Sequence, residues 1–258
     1  MNLINPAEIE DLSSLEESLQ MVFGMVRYRK DLNGLKLMRR RIMRIYLVRH
    51  GETDWNRERK VQGSVDIPLN DYGIYLAEET AKGLKDIKFD IAYTSPLIRA
   101  RKTAEVILEG RNIPIIDEPA IQEMNFGAYE GMCISGVNKA PESAEFTKFF
   151  SDTGNFVPAK DGESVEGLLE RTGHFLEELI QKEELEKKTI LLSTHGAAMT
   201  ALLNCIKGNL EPKNFWVENV PPNCGVTIVD VINGQMKITE ENLVFYKEPV
   251  RVWKVDED

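Results

Sequence analysis

The fold is decided by one stretch of the sequence, Ile45-Tyr46-Leu47-Val48-Arg49-His50-Gly51. Its four apolar residues are typical of a buried strand, which ends in a cation, an imidazole and a glycine whose backbone bends freely. A second histidine follows the same pattern in Ile190-Leu191-Leu192-Ser193-Thr194-His195-Gly196. Because the chain holds only three histidines, two strand-end His-Gly pairs indicate a single site at the strand ends, where open α/β sheets bind ligands.

Strand-like and helix-like segments alternate from residue 44 onward. The predicted strands are residues 44–48, 90–94, 113–116, 189–193 and 224–232, and the predicted helices are residues 71–85, 97–109, 164–182 and 197–207. Pro114 lies inside the third strand, which places that strand near a sheet edge. This alternation predicts an α/β fold with a mostly parallel sheet and helices on both of its faces.

Two segments depart from this alternation. Residues 1–42 combine apolar residues at helical spacing between positions 6 and 26 with a following basic run, and they are predicted to form a helical extension that packs on its own domain. There are two alternatives. The helix at 6–26 binds a partner, a second copy or a membrane surface, or the natural protein starts at Met43. Residues 43–258 are predicted to form the main domain. Within it, residues 124–162, here called the cap segment, are predicted to fold over the site.

Bulk properties exclude several classes of protein. With 258 residues the chain can bury one substantial core, and its net charge of −10 argues against a dedicated nucleic-acid binder. No apolar run approaches the roughly 20 residues of a membrane span. Its three cysteines, Cys133, Cys205 and Cys224, have neither a disulfide nor a zinc-site pattern, which predicts a reducing, cytoplasmic compartment.

The strand-end residues suggest phosphate chemistry. Arg99 opens a predicted helix directly after a strand, where backbone N–H groups attract anions, and the guanidiniums of Arg49 and Arg99 match phosphate oxygens. Positive charge beside His50 disfavours its imidazolium form, so a neutral ring is expected that can attack phosphorus and carry the phosphoryl group. His195 is expected to donate a hydrogen bond to the phosphoryl oxygens, whereas the mid-helix His174 is assigned no role.

Phosphoryl transfer also needs a proton for the leaving alkoxide and a base for the attacking water. Glu123 follows a strand-like segment and precedes the cap segment, while Glu52 is close to His50 in sequence. Residue spacing alone does not decide between these two carboxylates.

These residues resemble the histidine phosphatase superfamily, also called the phosphoglycerate mutase-like family. The resemblance rests on five segments: Leu47-Val48-Arg49-His50-Gly51-Glu52-Thr53 with Asn56; Gln62-Gly63-Ser64-Val65-Asp66-Ile67-Pro68-Leu69; Thr94-Ser95-Pro96-Leu97-Ile98-Arg99-Ala100 with Thr103-Ala104; Glu123 through Phe126-Gly127 to Glu130-Gly131; and Thr194-His195-Gly196. It covers about residues 43 to 232 and leaves residues 1–42 outside.

The resemblance implies a three-layer α/β/α sandwich and a role for each candidate residue. His50 would be the phosphorylated nucleophile, and Glu123, rather than Glu52, would be the proton donor. The remaining catalytic and substrate-binding residues would be Arg49, Arg99, His195, Asn56, Gln62, Gly63 and Gly196. No metal and no cofactor are expected, because guanidiniums would supply the electrostatic stabilisation.

The resemblance also separates two activities. Mutases of this family typically follow the acid with Arg-His-Tyr-Gly, whereas this chain has Met124-Asn125-Phe126-Gly127 and continues as Phe-Gly-x-Tyr-Glu-Gly, as in the phosphatase branch. We therefore expect a metal-independent phosphatase that acts on a small phosphorylated metabolite. The alternatives are a cofactor-dependent phosphoglycerate mutase and a non-catalytic protein that binds phosphorylated ligands. Five aromatic residues of the cap segment are expected to form either an apolar entrance or plain core: Phe126, Tyr129, Phe146, Phe149 and Phe150.

Overall fold

The computed structural model describes residues 42–216 and 219–250. The expectations for residues 1–41, including the helix at 6–26, lie outside this range. The described strands are β1 Ile42–Arg49, β2 Ile91–Thr94, β3 Ile115–Asp117, β4 Thr189–Thr194, β5 Val226–Ile232 and β6 Gln235–Leu243. The described helices are α1 Asp54–Arg57, α2 Asp71–Gly83, α3 Ile98–Ile107, α4 Ser143–Ser151, α5 Val165–Gln181 and α6 Gly196–Lys207.

The strands form one mixed sheet in the order β3-β2-β4-β1-β5-β6. The pairs β3-β2, β2-β4 and β4-β1 are parallel, and β1-β5 and β5-β6 are antiparallel. The predicted α/β fold with a mostly parallel sheet is therefore confirmed, and β3 lies at the predicted edge. All nine predicted strands and helices are present, with their ends within two residues of the prediction.

The side chains of β1 alternate between two hydrophobic clusters. Ile45 and Leu47 belong to a cluster with residues of α5 and α6, while Tyr46 and Val48 belong to one with residues of α3. This burial on both sides explains why the stretch before Arg49 is apolar without interruption. The strand that directly precedes His50 is thus packed on both faces.

One strand and two α-helices of the described residues were not predicted. The strand β6 is mostly polar and charged, because it forms the edge of the sheet beyond β5 and much of it is exposed. It follows a tight turn at Asn233 and Gly234, which both have positive φ angles. The helix α4 lies inside the cap segment, and α1 is a single turn after β1.

The described part of the chain contains no helix that is long and apolar enough to cross a membrane. Cys133, Cys205 and Cys224 are all free thiols.

Candidate active site

The two strand-end histidines lie side by side because of the register between two neighbouring parallel strands. Arg49 at the end of β1 pairs with Thr194 at the end of β4, so the next residues along the chain are His50 and His195. Their ring centroids are 5.1 Å apart. Both side chains are buried, with relative exposures of 2% for His50 and 0% for His195. The two His-Gly pairs thus meet at the ends of two neighbouring central strands, as the sequence predicted.

The orientation of His50 is fixed by its own chain neighbour. Its Nδ1 lies 2.7 Å from the carbonyl oxygen of Gly51. A carbonyl accepts only, so Nδ1 carries the proton and Nε2 keeps its lone pair. Burial first, and then the charges of Arg99 and Arg49, hold the pKa of His50 well below its usual range. The ring is therefore neutral, as the sequence predicted, although burial contributes more than the two arginines.

The loop after His50 approaches helix α2 backbone to backbone. A Cβ atom on Gly51 would lie 2.4 Å from the carbonyl oxygen of Gly73, and a Cβ on Gly73 would lie 2.0 Å from that of Glu52. Contacts this close are available only to glycine. The backbone N–H of Gly51 also donates to Thr103 Oγ1 at 3.0 Å. The loop after His50 is therefore held between α2 and α3.

Two buried guanidiniums flank His50. Arg49 donates from Nη1 to the carbonyl oxygen of Pro221 at 2.6 Å, and Arg99 donates to the carbonyl oxygens of Gly63 at 2.6 Å and Val65 at 2.8 Å. Within the described residues, the buried Nε atom of each arginine has no hydrogen-bond partner. Burial lowers the pKa of Arg99 to about 10, which still leaves it cationic at neutral pH. Two buried cations with unused donors suit an anion that accepts several hydrogen bonds.

His195 stands behind this group rather than in the pocket wall. Its Nε2 lies 2.7 Å from Ser95 Oγ, and its buried Nδ1 has no partner among the described residues. Burial is the first cause, ahead of the charge of Arg99, that holds the pKa of His195 well below its usual range. His195 precedes helix α6 in an extended conformation. Ser95, which sequence reasoning did not single out, is thus the residue that orients this ring.

Glu123 is anchored at the beginning of α6. Its carboxylate accepts from the backbone N–H groups of Ala197 at 3.2 Å, Ala198 at 3.0 Å and Met124 at 3.0 Å. It lines the same pocket as His50. Glu52, in contrast, is buried and accepts from Asn70 Nδ2 at 3.1 Å, and it is not part of the pocket wall. The geometry thus favours Glu123 over Glu52 as the acid.

Asn56 and Gln62 are held by one threonine. Thr53 donates from its backbone N–H to Asn56 Oδ1 at 3.1 Å and from its hydroxyl to Gln62 Oε1 at 2.9 Å. With both amide oxygens engaged, the amide nitrogens are the groups left to donate toward the pocket that these side chains line.

The pocket has about 490 Å³ of empty space, part of it open to solvent. The predicted residues in its wall are Arg49, His50, Asn56, Gln62, Gly63, Arg99, Glu123 and Gly196, and the unpredicted ones are Lys60, Val61, Ala197, Trp216 and Val220. Four cap residues, Phe126, Phe146, Phe149 and Phe150, complete it, whereas Tyr129 does not reach it. Phe146 and Phe149 are also buried core residues, so the two interpretations of the cap aromatics both hold. No sequence motif predicted that Trp216 would line the pocket.

No group of three or more His, Cys, Asp and Glu side chains is placed to hold a metal ion within residues 42–216 and 219–250.

The buried histidines give a prediction about stability. Because the unfolded chain binds protons on histidine near pH 6.5 and the folded protein does so only at much lower pH, the free energy of unfolding is expected to fall as the pH drops below about 6.5. The fall can reach about 1.4 kcal/mol per pH unit for each histidine. Urea unfolding of the full chain at pH 7.5 and 5.5 measures it.

The third histidine supplies the control for that measurement. The His174 side chain is 70% exposed on α5, so His174→Gln should keep the pH dependence of the wild type. His50→Gln and His195→Gln should each reduce it. A pH dependence that all three variants share unchanged would contradict the assignment.

The class of protein follows from a mixed sheet flanked by helices, in which two neutral histidines meet at the ends of β1 and β4 and two buried arginines line the pocket beside His50. These features define an α/β protein with a candidate histidine-based anion site. The family comparison agrees: the model of the histidine phosphatase superfamily, branch 1, matches residues 45–244. The chain belongs to this superfamily.

Similar proteins carry names of both phosphatases and mutases. "Uncharacterized phosphatase PhoE" of Bacillus subtilis is 41% identical over 164 residues, which are 64% of this chain and 77% of that protein. "Probable phosphoglycerate mutase GpmB" of Escherichia coli is 32% identical over 191 residues, 73% of this chain and 85% of that protein. Among solved structures, Bacillus stearothermophilus YhfR aligns with a TM-score of 0.69 and 29% identity, covering 78% of this chain and 97% of that one.

Proposed function

We propose that this protein is a metal-independent phosphatase that hydrolyses small phosphomonoesters through a phosphohistidine on His50. The observation that carries the proposal is the state of His50: a buried, neutral ring whose Nδ1 is held by the Gly51 carbonyl and which lines a pocket together with two arginines. Nε2 attacks phosphorus and forms the N–P bond while the ester P–O bond breaks. Water then attacks the phosphohistidine, which releases inorganic phosphate and restores the neutral ring.

Glu123 supplies the proton in the first half and takes it back in the second. As the P–O bond breaks, the carboxyl group protonates the leaving alkoxide, and the resulting carboxylate accepts a proton from the attacking water. The N–H groups of Ala197 and Ala198 aim this carboxyl group into the pocket. Glu123 is therefore proposed as the general acid and base.

The charge that develops on the transferring phosphoryl oxygens needs fixed donors. We assign this role first to Arg49 and Arg99, whose buried Nε atoms are without partners among the described residues. His195 is proposed as a third donor: its ring lies behind the pocket wall beside His50, and its Nδ1 is also without a partner there. Asn56, Gln62, Gly63 and Gly196 complete the proposed substrate-binding set.

The composition of the pocket favours a phosphatase over a mutase. A mutase must bind a second anionic group of its substrate, yet the cap side of the wall consists of aromatic rings. Met124 stands at the sequence position where mutases of this family typically have an arginine. Lys60, which also lines the pocket, is paired with Glu58 at 2.7 Å. The aromatic rings also favour an apolar alcohol as the leaving group. The three free thiols support the predicted reducing, cytoplasmic location.

The test is hydrolysis of p-nitrophenyl phosphate by the full chain in EDTA, extended to benzyl phosphate and glycerol phosphate. Steady release of phosphate, faster from benzyl than from glycerol phosphate, is expected. Conversion of 3-phosphoglycerate to 2-phosphoglycerate that depends on 2,3-bisphosphoglycerate would instead establish the mutase. Tight phosphate binding without any turnover would establish the non-catalytic binder.

Glu123→Gln tests the acid role. A carboxamide has no proton to donate, so cleavage of benzyl phosphate should slow by about 10²- to 10⁴-fold. Release of p-nitrophenolate, which needs little protonation, should slow far less. Measured kcat values for the two substrates check this, and equal losses would remove Glu123 from the acid role.

A further inference from the structure

The carboxylate of Glu130, in the cap segment, is surrounded by neutral donors. Its Oε1 accepts from the backbone N–H groups of Ser64 at 2.7 Å and Phe126 at 3.1 Å, and its Oε2 accepts from that of Val65 at 3.1 Å. The Ser64 hydroxyl lies 3.0 Å from Oε1. Hydrogen bonds from N–H groups to an ionised carboxylate are among the strong ones, so this side chain fixes the 63–65 loop.

The same loop holds the buried guanidinium of Arg99. Gly63 and Val65 direct their carbonyl oxygens at the two Nη atoms of Arg99, while Ser64 and Val65 direct their N–H groups at Glu130. The peptide unit between Gly63 and Ser64 therefore links a carboxylate on one side to a guanidinium on the other. Hydrogen bonds arranged in such a chain polarise and strengthen one another.

This arrangement depends on glycine at position 63. Gly63 has a φ angle of +57°, and a Cβ atom there would lie 2.1 Å from Glu130 Oε1. Any side chain would push the carboxylate away from the loop. The close approach of Glu130 is thus built into the backbone.

Glu130 also holds the cap. Phe126, whose N–H it accepts, lines the pocket. We infer that Glu130 is a positioning residue that holds Arg99 through the 63–65 loop and seats Phe126 in the pocket wall. This inference rests on the proposed function, because that function assigns Arg99 to the phosphoryl group.

Glu130→Gln in the full chain tests the inference, since the amide keeps the shape, removes the charge and sets an NH₂ group against backbone N–H donors. We expect kcat/KM for p-nitrophenyl phosphate to fall about 10- to 100-fold, by analogy with the loss on replacing residues that orient metal ligands. Competitive inhibition by inorganic phosphate should weaken in parallel. Asp90→Asn is the matched control, because Asp90 accepts a backbone N–H from Thr189 at 2.8 Å just before β2, at the other end of the strand.

A pH profile separates positioning from a general loss of structure. The charge of Glu130 favours the cationic form of Arg99, whose pKa burial lowers to about 10. In Glu130→Gln the alkaline loss of phosphate inhibition should therefore begin at lower pH than in the wild type. Glu130→Asp keeps the charge, so it should weaken inhibition without moving that alkaline limb.

The results distinguish a failure of the inference about Glu130 from a failure of the proposed function. An active wild type with Glu130→Gln matching Asp90→Asn in rate, inhibition and pH profile would overturn the role of Glu130 and leave the proposed function intact. A wild type that neither hydrolyses p-nitrophenyl phosphate nor binds phosphate would overturn both.

Discussion

Replacing His50 with alanine is expected to lower kcat for p-nitrophenyl phosphate by about 10⁴-fold or more. The reason is that Nε2 of His50 forms the covalent bond to phosphorus in the proposed mechanism, and no neighbour supplies that atom: the adjacent ring of His195 is turned to Ser95 through its Nε2. Rapid quenching in alkali with radiolabelled substrate should trap acid-labile phosphate on the wild type and none on His50→Ala.

His174→Ala is the matched control for this substitution. His174 lies on the surface of α5 and pairs with Glu178 at 3.1 Å, so its loss should leave the rate unchanged. Residual activity of His50→Ala within tenfold of the wild type, or label retained by that variant, would show that another residue carries the phosphoryl group.

Replacing Arg99 with alanine is expected to lower kcat/KM by about 10³-fold. Its fully buried guanidinium is proposed to stabilise the charge on the transferring oxygens. The substitution also leaves the carbonyls of Gly63 and Val65 without their donor, so thermal unfolding must be measured beside the rate. Arg99→Lys keeps a cation without the planar fork and should lose less than alanine.

Arg101→Ala is the control from the same helix. Arg101 is partly exposed and forms surface ion pairs with Glu105 and Asp117, which contribute little to stability. It should behave as the wild type in both rate and inhibition by inorganic phosphate. If folded Arg99→Ala binds phosphate as tightly as Arg101→Ala, Arg99 does not contact the phosphoryl group.

The sequence predicted the centre of the sheet well for a physical reason. Strands β1 and β4 are buried on both faces, which demands unbroken apolar residues, and their parallel pairing brings His50 and His195 together. The edge strand β6 has no such demand, so its polar residues carried no signal. The spacing of apolar residues along the chain reflects burial, so it predicts a strand poorly where the strand is only partly buried.

The residues that complete the pocket wall were harder to predict than the strand-end residues of the candidate site. Lys60 and Trp216 line the pocket from loops, and no pattern in the flanking sequence predicts that they do so. The choice between Glu52 and Glu123 likewise depends on the first N–H groups of α6, which are more than 70 residues away from Glu123 in sequence. Contacts of this range follow from tertiary packing alone.

The close approach of the Gly51 and Gly73 backbones has a consequence for how substrate would bind in the proposed mechanism. Because the loop after His50 packs directly against the backbone of α2, that loop is expected to stay in place when substrate binds. In the proposed mechanism the substrate would then approach a fixed His50. Any conformational adjustment that admits the substrate is expected in the aromatic residues of the cap segment. Substitutions that adapt the pocket to a new substrate are therefore expected in the cap segment rather than around His50.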